Sequence, residues 1–453
     1  MHLRNKYYNN APDFIKLAES YPSLKKYIKF QRHSKQGTLN FKDPRAVREL
    51  TYALLWCDFQ IRLEIPLDTL CPVIPGRLDY IHWIEDLIHS SISLNPNQLN
   101  AVNNSNNNDW EAPQNKDISV LSDTPNRIND TIAINENYQS PSPSVSPSTT
   151  DIIGIDIGTG ASCIYPLLAC KLHSDWKFEA LELNERSYEY AKDNVERNGM
   201  KGQIKVRRVK HERDNVFSQL VKKKKKRKGK SDESGMENLF NDILQNPDTI
   251  KREDGEKNKK RNNSSIVEMV LKKLGLQLPD YTFCMCNPPF YSSESEMEES
   301  RAIKVEDPHS VCTGSSHEML TEGGEVQFIS RLIDDSVQLY RERKKAMKKL
   351  CKCLNVVGSG GIVQDSNLLN ERILKRRMKK AESQGLVVQW YTSLIGKKSS
   401  VEPLVSYLRT KKEVKEVRTT NFKQGKTVRW GIAWTFKAIK PCKSKKKKDQ
   451  RST

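Results

Sequence analysis

Ile152-Ile153-Gly154-Ile155-Asp156-Ile157-Gly158-Thr159-Gly160-Ala161-Ser162 is the stretch on which the fold turns. Its first six residues are apolar apart from one glycine and one acid, the pattern of a short buried strand. They run into a glycine-rich turn, after which Ile164, Leu167 and Leu168 open a helix. Strand, glycine turn and helix make the first βα unit of a nucleotide-binding α/β sheet. A dinucleotide fingerprint needs a third glycine where Cys163 stands, so NAD is disfavoured and a single cofactor without pyrophosphate fits better. About twenty residues on, Phe178-Glu179-Ala180-Leu181-Glu182 reads as the second strand, ending in a carboxylate able to take both hydroxyls of a ribose. A solvated glutamate at a strand end is the plainer reading of Glu182, and the glycine turn upstream weighs against it. Ile204 to Val209 reads as a third strand and Tyr281 to Cys286 as a fourth.

The fourth strand runs into Asn287-Pro288-Pro289-Phe290. The Asn287 side-chain carbonyl and the Pro288 backbone carbonyl can both accept hydrogen bonds from an exocyclic amine. Two prolines in succession fix φ and remove two competing N–H donors, which makes the accepting edge rigid. An aromatic residue directly after them can stack on the flat ring that carries the amine. The plainer alternative is a Pro-Pro turn capping a strand above a buried Phe. Ligands of open α/β sheets bind at the carboxyl ends of the strands, so the glycine turn and Asn287 are expected to face one crevice.

Outward from this centre the chain divides by composition. Residues 1–94 read as a small, mostly helical module. Asp43-Pro44 supplies an N-cap and a helix-opening proline ahead of Val47, Leu50 and Leu54, and Arg77 to Leu87 reads as a second helix. The stretch His2 to Tyr8 interleaves basic and aromatic residues, which suits an RNA-contacting arm and equally a frayed terminus. Residues 95–150 are rich in Asn, Ser, Pro and Thr and read as a disordered linker. The main domain spans 151–440, with polar insertions expected at 215–275 and 341–385, a flexible polar loop at 291–316 and a basic tail at 441–453. Val387 to Ile395 reads as a further strand, and Gln424 to Trp430 as a basic turn that feeds a closing strand at Ile432 to Phe436. The net charge of +20 favours a polyanionic partner such as nucleic acid. Ten cysteines without CxxC pairing argue for reduced thiols and against a zinc site or a disulfide frame. No apolar run approaches membrane-spanning length, so no membrane is expected, and the cysteine spacing leads us to expect no metal. The run Lys222 to Lys228 suits nuclear import, with the cytoplasm as second compartment.

With these pieces assembled, the chain resembles the methyltransferase-like protein 16 family of RNA adenosine N6-methyltransferases and, more distantly, the bacterial ribosomal RNA adenine methyltransferases. The resemblance rests on Asn40 to Pro44, Arg77 to Trp83, Ile155 to Pro166, Cys284 to Phe290, Glu322 to Glu325 and Gly425 to Trp434. It implies a Rossmann-like class I fold that uses S-adenosylmethionine, with Arg77, Asp156, Gly158, Gly160, Ser162, Glu182 and Asn287 around the cofactor. In that family Arg77 meets the ligand carboxylate, Glu182 takes its ribose, and Asn287, Pro288, Pro289 and Phe290 handle the target amine. Arg4, Lys6, Lys42, Lys397, Lys398, Lys426 and Arg429 occupy the positions of an RNA groove, and U6 small nuclear RNA and messenger RNA hairpins are the implied substrates. Ribosomal RNA and a protein glutamine are the competing acceptors. The chain departs from the family at Lys210 to Arg213, a loop that gates the cofactor in relatives, and at Glu294 to Glu299, where an acidic stretch replaces an arginine- and proline-rich loop.

Overall fold

The computed structural model describes residues 1–30, 37–91, 152–209, 217, 281–302, 314–357, 388–425 and 427–437. Seven strands form one sheet: β3 (Ile153–Ile157), β4 (Lys177–Glu182), β5 (Ile204–Arg208), β6 (Tyr281–Cys286), β7 (Val388–Ile395), β8 (Glu416–Gln424) and β9 (Thr427–Thr435), in the order β5-β4-β3-β6-β7-β9-β8. A separate two-stranded hairpin, β1 (Ile28–Phe30) and β2 (Gly37–Leu39), lies in the N-terminal segment. From β5 to β7 the strands run parallel, while β9 is antiparallel to both β7 and β8. Counted from β3 as the first strand, the sheet reads 3-2-1-4-5-7-6, with its direction of travel reversing between β3 and β6. That reversal is the topological switch point, where a crevice opens at the strand ends.

Every residue of β6 is buried, as a central parallel strand with both faces covered must be. Phe283 and Met285 point into one core with Leu78, Ile81 and Leu167, while Cys284 and Cys286 point into the other with Ile329, Ile333 and Leu404. The first core rests under helices α1 (Phe14–Ser20), α2 (Pro44–Phe59), α3 (Ile74–Ser91) and α4 (Ile164–Leu172), so residues 1–91 and the sheet share one hydrophobic interior. The Asp43 side chain caps α2 by accepting the Arg45 N–H at 2.9 Å, and Pro44 opens the helix. Helix α3 is buried almost all round and carries Asp79 and Glu85 inward. The first residues of the chain supply partners to both, although the buried Asp79 Oδ2 accepts no hydrogen bond from a described residue. Asp79 accepts the His2 N–H and the Asn5 amide at 2.7 and 2.6 Å, and Glu85 accepts Arg4 at 2.9 Å and His173 at 2.7 Å.

Several expectations need correction. The segment expected as a polar insertion at 341–385 begins within a helix that runs unbroken from Gly324 to Val357, because lysine and arginine are good helix formers, and 358–385 lie outside the described residues. The loop expected at 291–316 holds a helix over Glu294–Ala302 and another over Ser316–Met319. Phe217, assigned to a polar insertion, is buried edge-on against Tyr391 with centroids 5.3 Å apart. Strand β8 had no reading at all, and β9 begins at Thr427 inside the supposed basic turn. The linker at 95–150, the Lys210 to Arg213 loop, the Lys222 to Lys228 run, Lys426 and the tail lie outside the described residues.

Candidate active site

The end of β3 is held by its own neighbourhood. The Gly158 and Thr159 N–H groups both donate to the Leu181 carbonyl at 2.9 Å, binding the glycine turn to the end of β4. The Gly160 N–H donates to Glu182 Oε2 at 2.8 Å, and the Leu183 and Asn184 N–H groups donate to Oε1 at 2.9 Å each. The Thr159 hydroxyl donates to Asp156 Oδ2 at 2.7 Å. Gly158 and Gly160 take φ of 71° and 66°, the left-handed region that glycine enters without strain. Cys163 adopts φ of 48° without being glycine, so the backbone makes the third left-handed step that the sequence pattern lacks.

The residues around this turn fit a cofactor of the expected kind. A Cβ built on Gly158 or Gly160 meets nothing within 4 Å, so there is open space over the turn. Burial raises the Glu182 carboxyl, which the three backbone N–H groups partly offset. One lone pair of Oε2 is left to receive a hydroxyl. Burial and the neighbouring Glu182 push Asp156 up to about 7 against the opposing Thr159 hydrogen bond. Arg77 reaches from α3 and donates from Nη1 to the Tyr165 hydroxyl at 2.5 Å, its guanidinium lying 5.0 Å from that ring centre. Among the described residues it has no carboxylate partner, and its buried Nε has no hydrogen bond. A ligand carboxylate would complete it. Ser162 is buried at the start of α4.

The end of β6 is held by distant parts of the chain. The register Ile157↔Cys286 sets Gly158 and Asn287 at adjacent strand ends. Asn287 is half-buried, and its side-chain amide makes no hydrogen bond to another described residue; Pro288 behind it is buried. Phe290 is half-buried against Gly396, where an added Cβ would come within 2.6 Å of the ring, and the Arg429 guanidinium lies 5.1 Å from its centre. The ring therefore carries a cation partner rather than standing free. Buried Glu325 fixes that wall: it accepts the Gly396 and Lys397 N–H groups at 2.6 and 3.0 Å and the Ser400 hydroxyl at 2.6 Å. Thr321 N–H donates to the Tyr291 carbonyl at 2.9 Å and extends the wall along the loop after Phe290.

The basic residues divide into two groups. Arg4 pairs with Glu85 at 2.9 Å and Asp86 at 2.8 Å, and Lys6 pairs with Asp58 at 2.5 Å, so these two fasten the N-terminal segment to α2 and α3. Arg429 lies over Phe290 and Lys397 over the neighbouring Tyr291 ring, 5.0 Å from its centre, with Lys398 next to Lys397, whereas Lys42 follows β2 in the N-terminal segment. Lys397 is ion-paired to Glu296 of the acidic helix, and that hydrogen bond, with those of Ser292, lowers Glu296 to about 2. Sequence reasoning did not single out Tyr165 or Glu325, although both lie within stretches it quoted. No cluster able to hold a metal ion occurs among the described residues.

A sheet of this order, with an open glycine turn and an acid-ended second strand beside an Asn-Pro-Pro-Phe strand end, defines a Rossmann-like fold with a nucleotide-type cofactor site at its switch point. The Methyltransf_10 model, described as RNA methyltransferase, matches residues 1–109, 106–230, 232–362 and 369–438, and the chain belongs to that family. It is 32% identical over 438 residues to the mouse RNA N(6)-adenosine-methyltransferase METTL16, covering 96% of this chain and 51% of the relative. It is 28% identical over 440 residues to the U6 small nuclear RNA (adenine-(43)-N(6))-methyltransferase of Dictyostelium discoideum, covering 96% and 55%. The chain thus spans about half the length of the curated relatives it matches. The human METTL16 catalytic domain in complex with a MAT2A 3′UTR hairpin superposes with a TM-score of 0.56 at 28% identity, covering 96% of this chain and 95% of that one. The human N-terminal domain in complex with SAH gives 0.52 at 28% identity, covering 96% and 98%.

Proposed function

We propose that this chain transfers a methyl group from S-adenosylmethionine to the N6 amine of an unstacked adenosine in a structured RNA, with U6 small nuclear RNA and messenger RNA hairpins as its substrates. The observation that carries the reading is the β3–β6 register, which sets an open glycine turn beside an asparagine whose amide is unengaged by the described residues. Relatives acting on U6 RNA and a neighbour bound to an RNA hairpin support the nucleic-acid acceptor.

The adenine amine is a poor nucleophile because its lone pair is delocalised into the ring. Asn287 and the Pro288 carbonyl accept its two N–H bonds and favour a tetrahedral nitrogen, so the chain contributes positioning and electrostatics rather than a strong base. S-adenosylmethionine supplies the electrophilic methyl group. Glu182 and Arg77 hold the two ends of that ligand, and the proton leaves to water after transfer. Phe290 is the stacking surface for the flipped base, which must displace or share the ring with Arg429. Lys42, Lys397, Lys398, Lys426 and Arg429 attract the phosphate backbone, and the protein works in the nucleus.

The test is methylation of defined RNA hairpins with labelled cofactor. Adenosine at the target should accept label, while inosine, which carries a carbonyl at that place, should not. Labelling of a glutamine-containing protein with no labelling of RNA would overturn the assignment.

A further inference from the structure

Strands β6 and β7 hold register only as far as Cys284↔Tyr391, whereas on the other side β3 still pairs with Cys286. The last residue before Asn287 therefore has no backbone partner on its β7 side. Two side-chain hydroxyls fill the gap. The Cys286 N–H lies 3.3 Å from the Tyr80 hydroxyl, Tyr80 lies 2.7 Å from Thr392 Oγ1, and Thr392 donates to the Cys284 carbonyl at 2.9 Å. Each hydroxyl has one proton, which orients the chain. Cys286 N–H donates to Tyr80, Tyr80 to Thr392, and Thr392 to Cys284. The Tyr80 oxygen also lies 3.4 Å from the Cys286 carbonyl, a longer approach than its bond to Thr392.

Both hydroxyl residues are fully buried, so no water stands ready to replace either of them. The Tyr80 ring packs edge-on against Tyr165 at 5.5 Å, and Tyr165 accepts the hydrogen bond from Arg77. One side chain thus touches the root of the Asn287 loop and the partner of the cofactor-end arginine.

We propose that Tyr80 is a positioning residue for Asn287: its hydroxyl replaces the missing strand partner of Cys286 and fixes the direction in which the asparagine leaves the sheet. The proposal rests on the reading of Asn287 as the group that holds the acceptor amine. Without the hydroxyl, the Cys286 N–H and the Thr392 hydroxyl would seek new partners and the strand end would shift. A small displacement of a positioning group is enough to lower a rate strongly.

Tyr80→Phe keeps the ring and removes only the oxygen. In single-turnover methylation at saturating cofactor and RNA, the rate should fall by about 10- to 100-fold. Dissociation constants for S-adenosylmethionine and RNA should stay within about twofold, the signature of a transition-state interaction. Adding Tyr80→Phe to Asn287→Ala should cost nothing beyond Asn287→Ala alone, because a residue acting through another has no effect once that other is gone. Thr392→Val should reproduce the defect by breaking the next link, and Thr392→Ser should restore the rate. A purely structural role would lower the melting temperature and both affinities, with rate losses that add to those of Asn287→Ala; that outcome, or an unchanged rate in both Tyr80→Phe and Thr392→Val, overturns the proposal. If the wild-type chain labels a protein glutamine instead of RNA, the assignment of acceptor fails, and the same comparison run on that substrate still decides the role of Tyr80.

Discussion

The ends of β3 and β6 are neighbours in the sheet and are built on opposite plans. The glycine turn after β3 is fastened by residues close to it in the chain: the Leu181 carbonyl, the Glu182 carboxylate and the Asp156–Thr159 bond. The Asn-Pro-Pro-Phe end of β6 is fastened by Tyr80, Thr392, Glu325, Gly396 and Arg429, which come from α3, the start of the long Gly324–Val357 helix, β7 with the turn after it, and β9. A cofactor site that recurs on many sheets needs only a local unit. On the proposed function, the second site orients one amine and draws its stiffness from remote elements of the fold.

If the two ends are separable in this way, substitutions should affect binding at one and turnover at the other. The largest effect is expected at Gly158→Val. The open space over the turn would be filled, and a β-branched residue would be forced to φ of 71°. Calorimetry should show no S-adenosylmethionine binding, while circular dichroism shows a folded protein. Asn287→Ala should lower the methylation rate by about two to three orders of magnitude, the cost of one preorganised polar group, with both affinities kept. Loss of cofactor affinity in that variant would break the comparison.

Glu182→Ala removes the hydroxyl acceptor together with the anchor of the Gly160 N–H. Its cofactor affinity should weaken by about 1.5–3 kcal/mol in a titration, the scale of a hydrogen bond to a charged group. The smallest effect belongs to Asp156. Its carboxyl is raised in the fold to about 7, so it is protonated in the folded state and ionised in the unfolded chain between about pH 4 and 7. This group's contribution to stability is therefore greatest at low pH and falls as pH rises through 7. Asp156→Asn should flatten that part of the melting temperature against pH for the cofactor-free protein. An unchanged profile would mean that the turn is stabilised without this buried acid.

The same division explains what could be read in advance. Five parallel strands were legible, most plainly where a buried strand is a continuous apolar run ended by a recognisable turn, as at Ile153–Ile157 and Tyr281–Cys286. Strand β8 was not, since EVRTTNFKQ lies at a sheet edge with few buried residues and carries no apolar run. The helix through 341–357 was hidden by its charge, and Phe217 by the polar sequence around it. Arg4 and Lys6 looked like a free basic arm because the acids they meet are more than fifty positions away.

By itself the sequence determined the glycine turn, the carboxylate at the next strand end and the Asn-Pro-Pro-Phe edge, because each is a short segment whose backbone limits and side-chain chemistry travel together. Only the tertiary structure decided that Tyr80 and Thr392 complete the splayed end of β6, that Glu325 holds the wall behind Phe290, and that Arg429 covers its ring. The physical reason is distance along the chain: a hydroxyl 206 positions from the N–H it receives leaves no pattern in either segment until the sheet brings them together.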